Sequence, residues 1–233
     1  MKIEDTSIRK FIAISDIISL LNMSCGFISI LNSINQNFEL AALFMIFAIM
    51  FDSVDGWVAR KINRNDALDF GKNIDSLSDA VSFGVAPAVF LYSTINTTSS
   101  IIQPITIIVS LLIVICGVLR LTRYNVIADK IETKDFIGFP IPGIAFILAT
   151  LYLSGIYNLY LALILSIIIS LIMISTIRYP KFDNIPTLAV SCILIVLLIL
   201  PVKFVLFNIN IPALLLLIFC LYYFIINLIK NYA

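Results

Sequence analysis

The sequence predicts an all-α integral membrane fold, a polytopic bundle of about eight transmembrane helices, on three observations. Of its 233 residues, 61% are hydrophobic and 12% charged, about half the charge with which a water-soluble domain covers its surface. Apolar runs near the length a membrane helix needs, about 20 residues, recur at 15–34, 39–60, 75–95, 101–121, 139–155, 157–177, 185–206 and 211–229. The third observation is where the basic residues fall. Fourteen of the 15 lie in the N-terminal segment, in every second connection or at Lys230, leaving Lys203 near the opposite face. Short loops carrying lysine and arginine stay in the cytoplasm, so an integral, multi-pass protein of the cell membrane is expected, with both termini inside.

Each run carries its own signals. The first contains Asp16 and Asn22 and lacks a small-residue cleavage site, so it reads as a retained span rather than a signal peptide. Thr6 to Asp16 ahead of it reads equally as a short amphipathic surface helix or as a frayed basic tail. The second run ends, and the third begins, in acidic residues. The fourth ends in Arg120, Arg123 and Asn125, and the sixth ends beside Arg178 and Lys181. The last two runs show hydrophobicity alone. Without an internal repeat or a low-complexity linker, residues 1–233 are expected to form a single membrane-embedded domain.

Composition also excludes chemistries. A net charge of +1 gives no concentrated basic surface, so no nucleic-acid partner is expected. The chain has no histidine, which removes Ser-His-Asp and Cys-His catalysis and histidine-ligated metal sites. Cys25, Cys116, Cys192 and Cys220 are dispersed through apolar runs and read as core packing.

The informative stretch brackets one connection predicted to face the cytoplasm. Asp52 and Asp55 stand three apart at the end of the second run, and Asp75 and Asp79 four apart at the start of the third. Those spacings put each pair on one helical face, and antiparallel neighbours bring both pairs to a similar depth. An uncompensated charge near the bilayer centre costs about 3 kcal/mol. Structural ion pairs could absorb one such acid. Four together favour a divalent cation on oxygen ligands, Mg²⁺ or Mn²⁺, and two ions would suit phosphoryl transfer. Asp66 and Asp69, in the connection itself, read as solvated loop charges. Gly56 leaves bare backbone beside Asp55, which admits either a bulky phosphate or close helix packing.

These residues carry a resemblance. Asp52-x-x-Asp55-Gly56-x-x-Ala59-Arg60, followed by Gly71-x-x-x-Asp75-x-x-x-Asp79, is similar to the signature of the CDP-alcohol phosphatidyltransferases. The ten residues between Arg60 and Gly71 exceed the family's usual gap and are expected to lengthen a loop. The resemblance implies the CDP-alcohol phosphotransferase fold and a reaction in which an alcohol attacks the lipid-linked phosphorus of a CDP-lipid and expels CMP. It implies that Asp52, Asp55, Asp75 and Asp79 hold two divalent ions, with Asp79 also the general base. Asn22, Gly56, Ala59, Arg60 and Gly71 would bind the nucleotide, and a homodimer is implied by the same likeness.

Asp79 to Ala88, Arg120-Leu121-x-Arg123-x-Asn125, Gly138 to Pro142 and Leu20-Leu21-Asn22-x-x-Cys25-Gly26 resemble the phosphatidylserine synthase branch, which implies serine as the acceptor. A carboxylate-bearing substrate needs a cation, and Arg120 and Arg123, with Asn125, are the candidates. Glycerol phosphate or inositol phosphate would want the same arginines, and membrane anchoring would also explain them. Outside this family, a cation or proton transporter would place its acids along an ion path. The predicted orientation has a direct check. A fluorescent protein fused after Ala233 should fluoresce, and alkaline phosphatase at the same point should be inactive. Active phosphatase there would reverse the topology.

Overall fold

In hydrocarbon no water satisfies a backbone N–H or C=O, so the apolar runs form helices. A computed structural model describes residues 8, 11–61, 69–95, 101–127, 135–180, 185–200 and 204–232, with Ala59, Arg60, 185–189, Asn231 and Tyr232 described in backbone only. Helices α1 (Ile14–Ile34) and α2 (Phe38–Lys61) form the first hairpin. After it come α3 (Phe70–Asp79), a π-helical turn (Ala80–Val85) and α4 (Ala86–Ser93), which join into one rod. Next are α5 (Ile102–Ile127), α6 (Pro142–Leu153), α7 (Leu159–Met173), α8 (Ile185–Ile199) and α9 (Ile211–Tyr232). Two-residue strands β1 (Phe136–Ile137) and β2 (Arg178–Tyr179) pair antiparallel, as do β3 (Val205–Leu206) and β4 (Ile209–Asn210).

The apolar segments thus follow the predicted order in a polytopic helical membrane protein. Among the described residues, four are long and apolar enough to cross a bilayer: Ile14–Ile34, Phe70–Ser93, Ile102–Ile127 and Ile211–Lys230. Helix α2 has 24 residues but carries Glu39, Asp52 and Asp55. The fifth and sixth segments are shorter than predicted, at 12 and 15 residues. Two causes delay the start of α6. Gly138 adopts a left-handed φ of +79°, and Pro140 and Pro142 lack the N–H groups a longer helix would need. The run predicted at 185–206 stops as a helix at Ile199, two residues before Pro201, which disfavours helical backbone in the residue preceding it. Of the predicted surface helix, most of residues 6–10 lie outside the described residues. Phe11 is described, and its ring stacks on Phe70 at 5.3 Å.

Packing is arranged for lipid. On α5, Ile108, Leu111, Ile115 and Leu119 are exposed while Thr106, Val109, Ile113, Cys116, Gly117 and Arg120 are buried. Helix α1 goes further, turning Ile17, Leu21, Phe27 and Leu31 outward and burying Ser15, Asp16, Ser19, Asn22, Gly26, Ser29 and Ser33. Small residues let backbones approach where association gains nothing from excluding lipid. Helix α6 lies in the middle, against α2, the π turn, α4, α7 and α9, with Ile144, Ile147 and Leu148 fully buried.

Helix α1 also packs along α2, α3, the π turn and α4, so its register sets where the first half of the chain meets. Gly26 fixes that register. A Cβ built there would lie 2.6 Å from Ser82 Cα, which is backbone and cannot swing aside. Gly26→Ala is expected to destabilise the fold by about 2 kcal/mol, as overpacking does, read as a lowered Tm in detergent. An unchanged Tm would show that the two helices do not touch at this point.

Candidate active site

Helix α2 delivers Asp52 and Asp55 from its last turns, and α3 delivers Asp75 and Asp79, because the predicted three- and four-residue spacings both fall within helix. Carboxylate oxygens of Asp52, Asp55 and Asp75 lie within 4.8 Å of one another. The fourth acid, Asp79, lies within the electrostatic reach of Asp52 and Asp75. Asp55 and Asp79 are 5% and 7% exposed. At 4.8 Å each pair of full negative charges repels by about 3 kcal/mol at an effective dielectric of about 20. The donor set is all oxygen and crowded, which suits a hard divalent cation. These residues therefore fit a metal ion.

The neighbours of the acids are specific. Ser19 Oγ donates to Asp55 Oδ2 at 2.7 Å, and Asn22 Nδ2 donates to Asp79 Oδ1 at 3.2 Å. The Gly56 backbone donates to the Asp55 carboxylate. From α5, Arg120 enters at 6% exposure, in the electrostatic field of Asp79 and Asp52. Its guanidinium carbon lies 5.7 Å from the ring centroids of both Tyr124 and Phe136, a cation–π seat that restrains the head group. Asn125 donates from Nδ2 to Ser76 Oγ at 2.7 Å, one residue from Asp75. Asn22 Oδ1, Arg120 Nε and Asn125 Oδ1 are buried without a hydrogen-bond partner among the described residues. Buried polar atoms are usually satisfied, so three orphans around one acidic cluster mark a place built to receive something.

Residues 12–173 match the family model described as CDP-alcohol phosphatidyltransferase. The chain belongs to the CDP-alcohol phosphatidyltransferase family. Curated relatives agree. An archaetidylserine synthase of Methanothermobacter thermautotrophicus is 47% identical over 180 residues, 77% of this chain and 75% of that protein. A CDP-diacylglycerol–serine O-phosphatidyltransferase of Methanocaldococcus jannaschii is 42% identical, with 76% and 79% covered. The protein of the same name from Bacillus subtilis is 37% identical, with 72% and 89% covered.

Within this family frame, the residues singled out in the sequence separate. Asp52, Asp55, Asp75 and Asp79 come together, with Arg120 and Asn125 beside them. Gly56 lies in α2 and Gly71 in the first turn of α3, both half-buried. The Ala59 and Arg60 side chains lie outside the described residues. Asn22, which the resemblance assigned to the nucleotide, is fully buried and turned onto Asp79.

Arg123, a candidate for the substrate carboxylate, turns its guanidinium onto backbone carbonyls. Its Nη1 donates to the carbonyls of Ile174 and Ser175 at 2.8 and 2.9 Å, and Nη2 to those of Ile137 and Met173, both at 2.9 Å. All four terminal N–H groups are taken up by backbone carbonyls, three at the C-terminal end of α7 and one in β1. Sequence spacing on α5 could not distinguish Arg120 from Arg123, since only the fold shows what each one reaches. Ser19 went unnoticed in the sequence. Its signal was the three-residue spacing to Asn22, which places both on one face of α1.

Arg123→Ala is expected to lower stability by about 2 kcal/mol, because it orphans several carbonyls at once. Arg123→Lys should not restore it, since one ammonium cannot span four acceptors. Thermal unfolding in detergent measures both. Lost activity at unchanged stability would return Arg123 to the substrate.

Proposed function

We propose that the chain is a serine phosphatidyltransferase, moving the phosphatidyl group of a CDP-activated lipid to the hydroxyl of L-serine with release of CMP. The observation that carries this reading is the convergence of Asp52, Asp55, Asp75 and Asp79 beside the buried Arg120. The names of the curated relatives, which specify serine or archaetidylserine, support the choice of acceptor. Residues 1–233 act as one catalytic unit, with the site opening to the cytoplasm, where the lysine and arginine distribution puts it. Assembly as a homodimer rests on family likeness.

Asp52, Asp55 and Asp75 would hold a divalent cation, Mg²⁺ or Mn²⁺, and Asp79 would complete the set for a second. When bound, such ions neutralise charge on the diphosphate oxygens. Asp79 accepts the proton of the serine hydroxyl as its oxygen forms a bond to the lipid-linked phosphorus. The bond from that phosphorus to the bridging oxygen breaks, and CMP leaves with the electron pair. Arg120, held between Tyr124 and Phe136, offers its free Nε–H to the serine carboxylate, and Asn125 Oδ1 accepts from the serine ammonium. Gly56 and Gly71, with Ala59 and Arg60, line the approach of the nucleotide. A cation-transport reading would need acids strung through the bilayer depth, whereas these four gather in one cluster between α2 and α3.

Purified protein given CDP-lipid, serine and Mn²⁺ should release CMP. Asp79→Asn should lower kcat by about 10²–10⁴, the usual contribution of a general base. Arg120→Lys should raise the KM for serine about tenfold or more while the KM for CDP-lipid holds, since loss of a charged hydrogen bond is worth about 1.5–3 kcal/mol. Turnover of glycerol phosphate or inositol phosphate in preference to serine would overturn the acceptor assignment. CMP release that survives both substitutions would overturn the site.

A further inference from the structure

The buried polar face of α1 ends on the acidic cluster at two points. Ser19, 4% exposed, donates to Asp55 at 2.7 Å, and Asn22, fully buried, donates to Asp79 at 3.2 Å. The two donors stand three residues apart, a rise of about 4.5 Å along one helical face. They reach acids borne by different helices, α2 and α3. Hydroxyls in membrane helices commonly bond back to the carbonyl four residues earlier, as Ser24 does to Leu20 and Ser33 to Ser29. Ser19 has its own such acceptor in Ser15, but at 3.2 Å. Its single proton goes to the nearer Asp55.

The register that makes this possible is itself fixed. Gly26 admits Ser82 to close contact, and Ser82 Oγ donates to the Asn22 carbonyl at 3.0 Å. The backbone of Asn22 is thereby tied to the π turn that directly follows Asp79. A carboxylate among like charges tends to rotate away from its neighbours. A donor on one oxygen decides which oxygen remains to face inward.

We propose that Ser19 and Asn22 are positioning residues, through which α1 orients the Asp55 and Asp79 carboxylates for cation binding and proton acceptance. This rests on the metal-dependent reading above. Hydrogen-bond partners behind metal ligands typically hold about 10- to 100-fold in metal affinity or activity.

The test is Mn²⁺ binding to the purified full chain without lipid or serine, followed by loss of the free-ion electron paramagnetic resonance signal. Ser19→Ala and Asn22→Ala should each weaken Mn²⁺ binding about tenfold or more. Ser19→Thr, which restores the hydroxyl, should recover most of it. Asn22→Leu keeps the side-chain volume without the donor and should match Asn22→Ala. Ser24→Ala, on the exposed face of the same helix, should bind as the parent does. If the Ser19 and Asn22 variants bind Mn²⁺ like the parent, the positioning role is overturned while the metal reading stands. If the parent itself binds no Mn²⁺, the metal reading falls and the positioning role with it.

Discussion

Mutual repulsion among carboxylates that two helices force together is the constraint around which this molecule is organised. Asp52, Asp55 and Asp75 hold oxygens within 4.8 Å of one another, an arrangement a soluble surface would relax by turning the side chains into water. Here α1 and the π turn pack against the helices that carry them. Donors from Ser19 and Asn22, and the positive charge of Arg120, offset part of the repulsion. The remainder is the attraction the site presents to a cation.

Lipid as solvent explains how so polar a centre can be held. Helix α1 directs leucine, isoleucine and phenylalanine outward and serine, asparagine and glycine inward, the reverse of a soluble amphipathic helix. The inner face can then be spent on hydrogen bonds and close backbone approach. Farther along the chain, Arg123 joins the end of α5 to the end of α7 and to β1. Phe139 packs its ring against Tyr179 and Phe224, tying the segment after β1 to β2 and α9. Together these contacts fix where α5, and with it Arg120, enters the site.

The sequence showed a good deal of this, for reasons specific to each feature. Helical spans announce themselves because hydrocarbon demands long apolar runs. The acid pairs were legible because three- and four-residue spacings have one meaning on a helix. What stayed hidden depends on contact through space. Asn22 reads as an isolated amide until Asp79 is seen opposite it, and Ser19 reads as an ordinary small residue. Arg120 and Arg123 differ only in what the fold brings to them. The short α6 is the exception, since Gly138, Pro140 and Pro142 already stood in the sequence but were outweighed by the apolar run around them.

Membership of the CDP-alcohol phosphatidyltransferase family and the geometry of the acids lead to the same chemistry from independent directions. The central claim is that carboxylates from α2 and α3 share a cation. Anomalous diffraction from crystals soaked in Mn²⁺ tests it most directly. The account predicts a peak within direct coordination distance of Asp52, Asp55 and Asp75. A peak elsewhere, or these side chains splayed apart with no ion between them at saturating Mn²⁺, would contradict it.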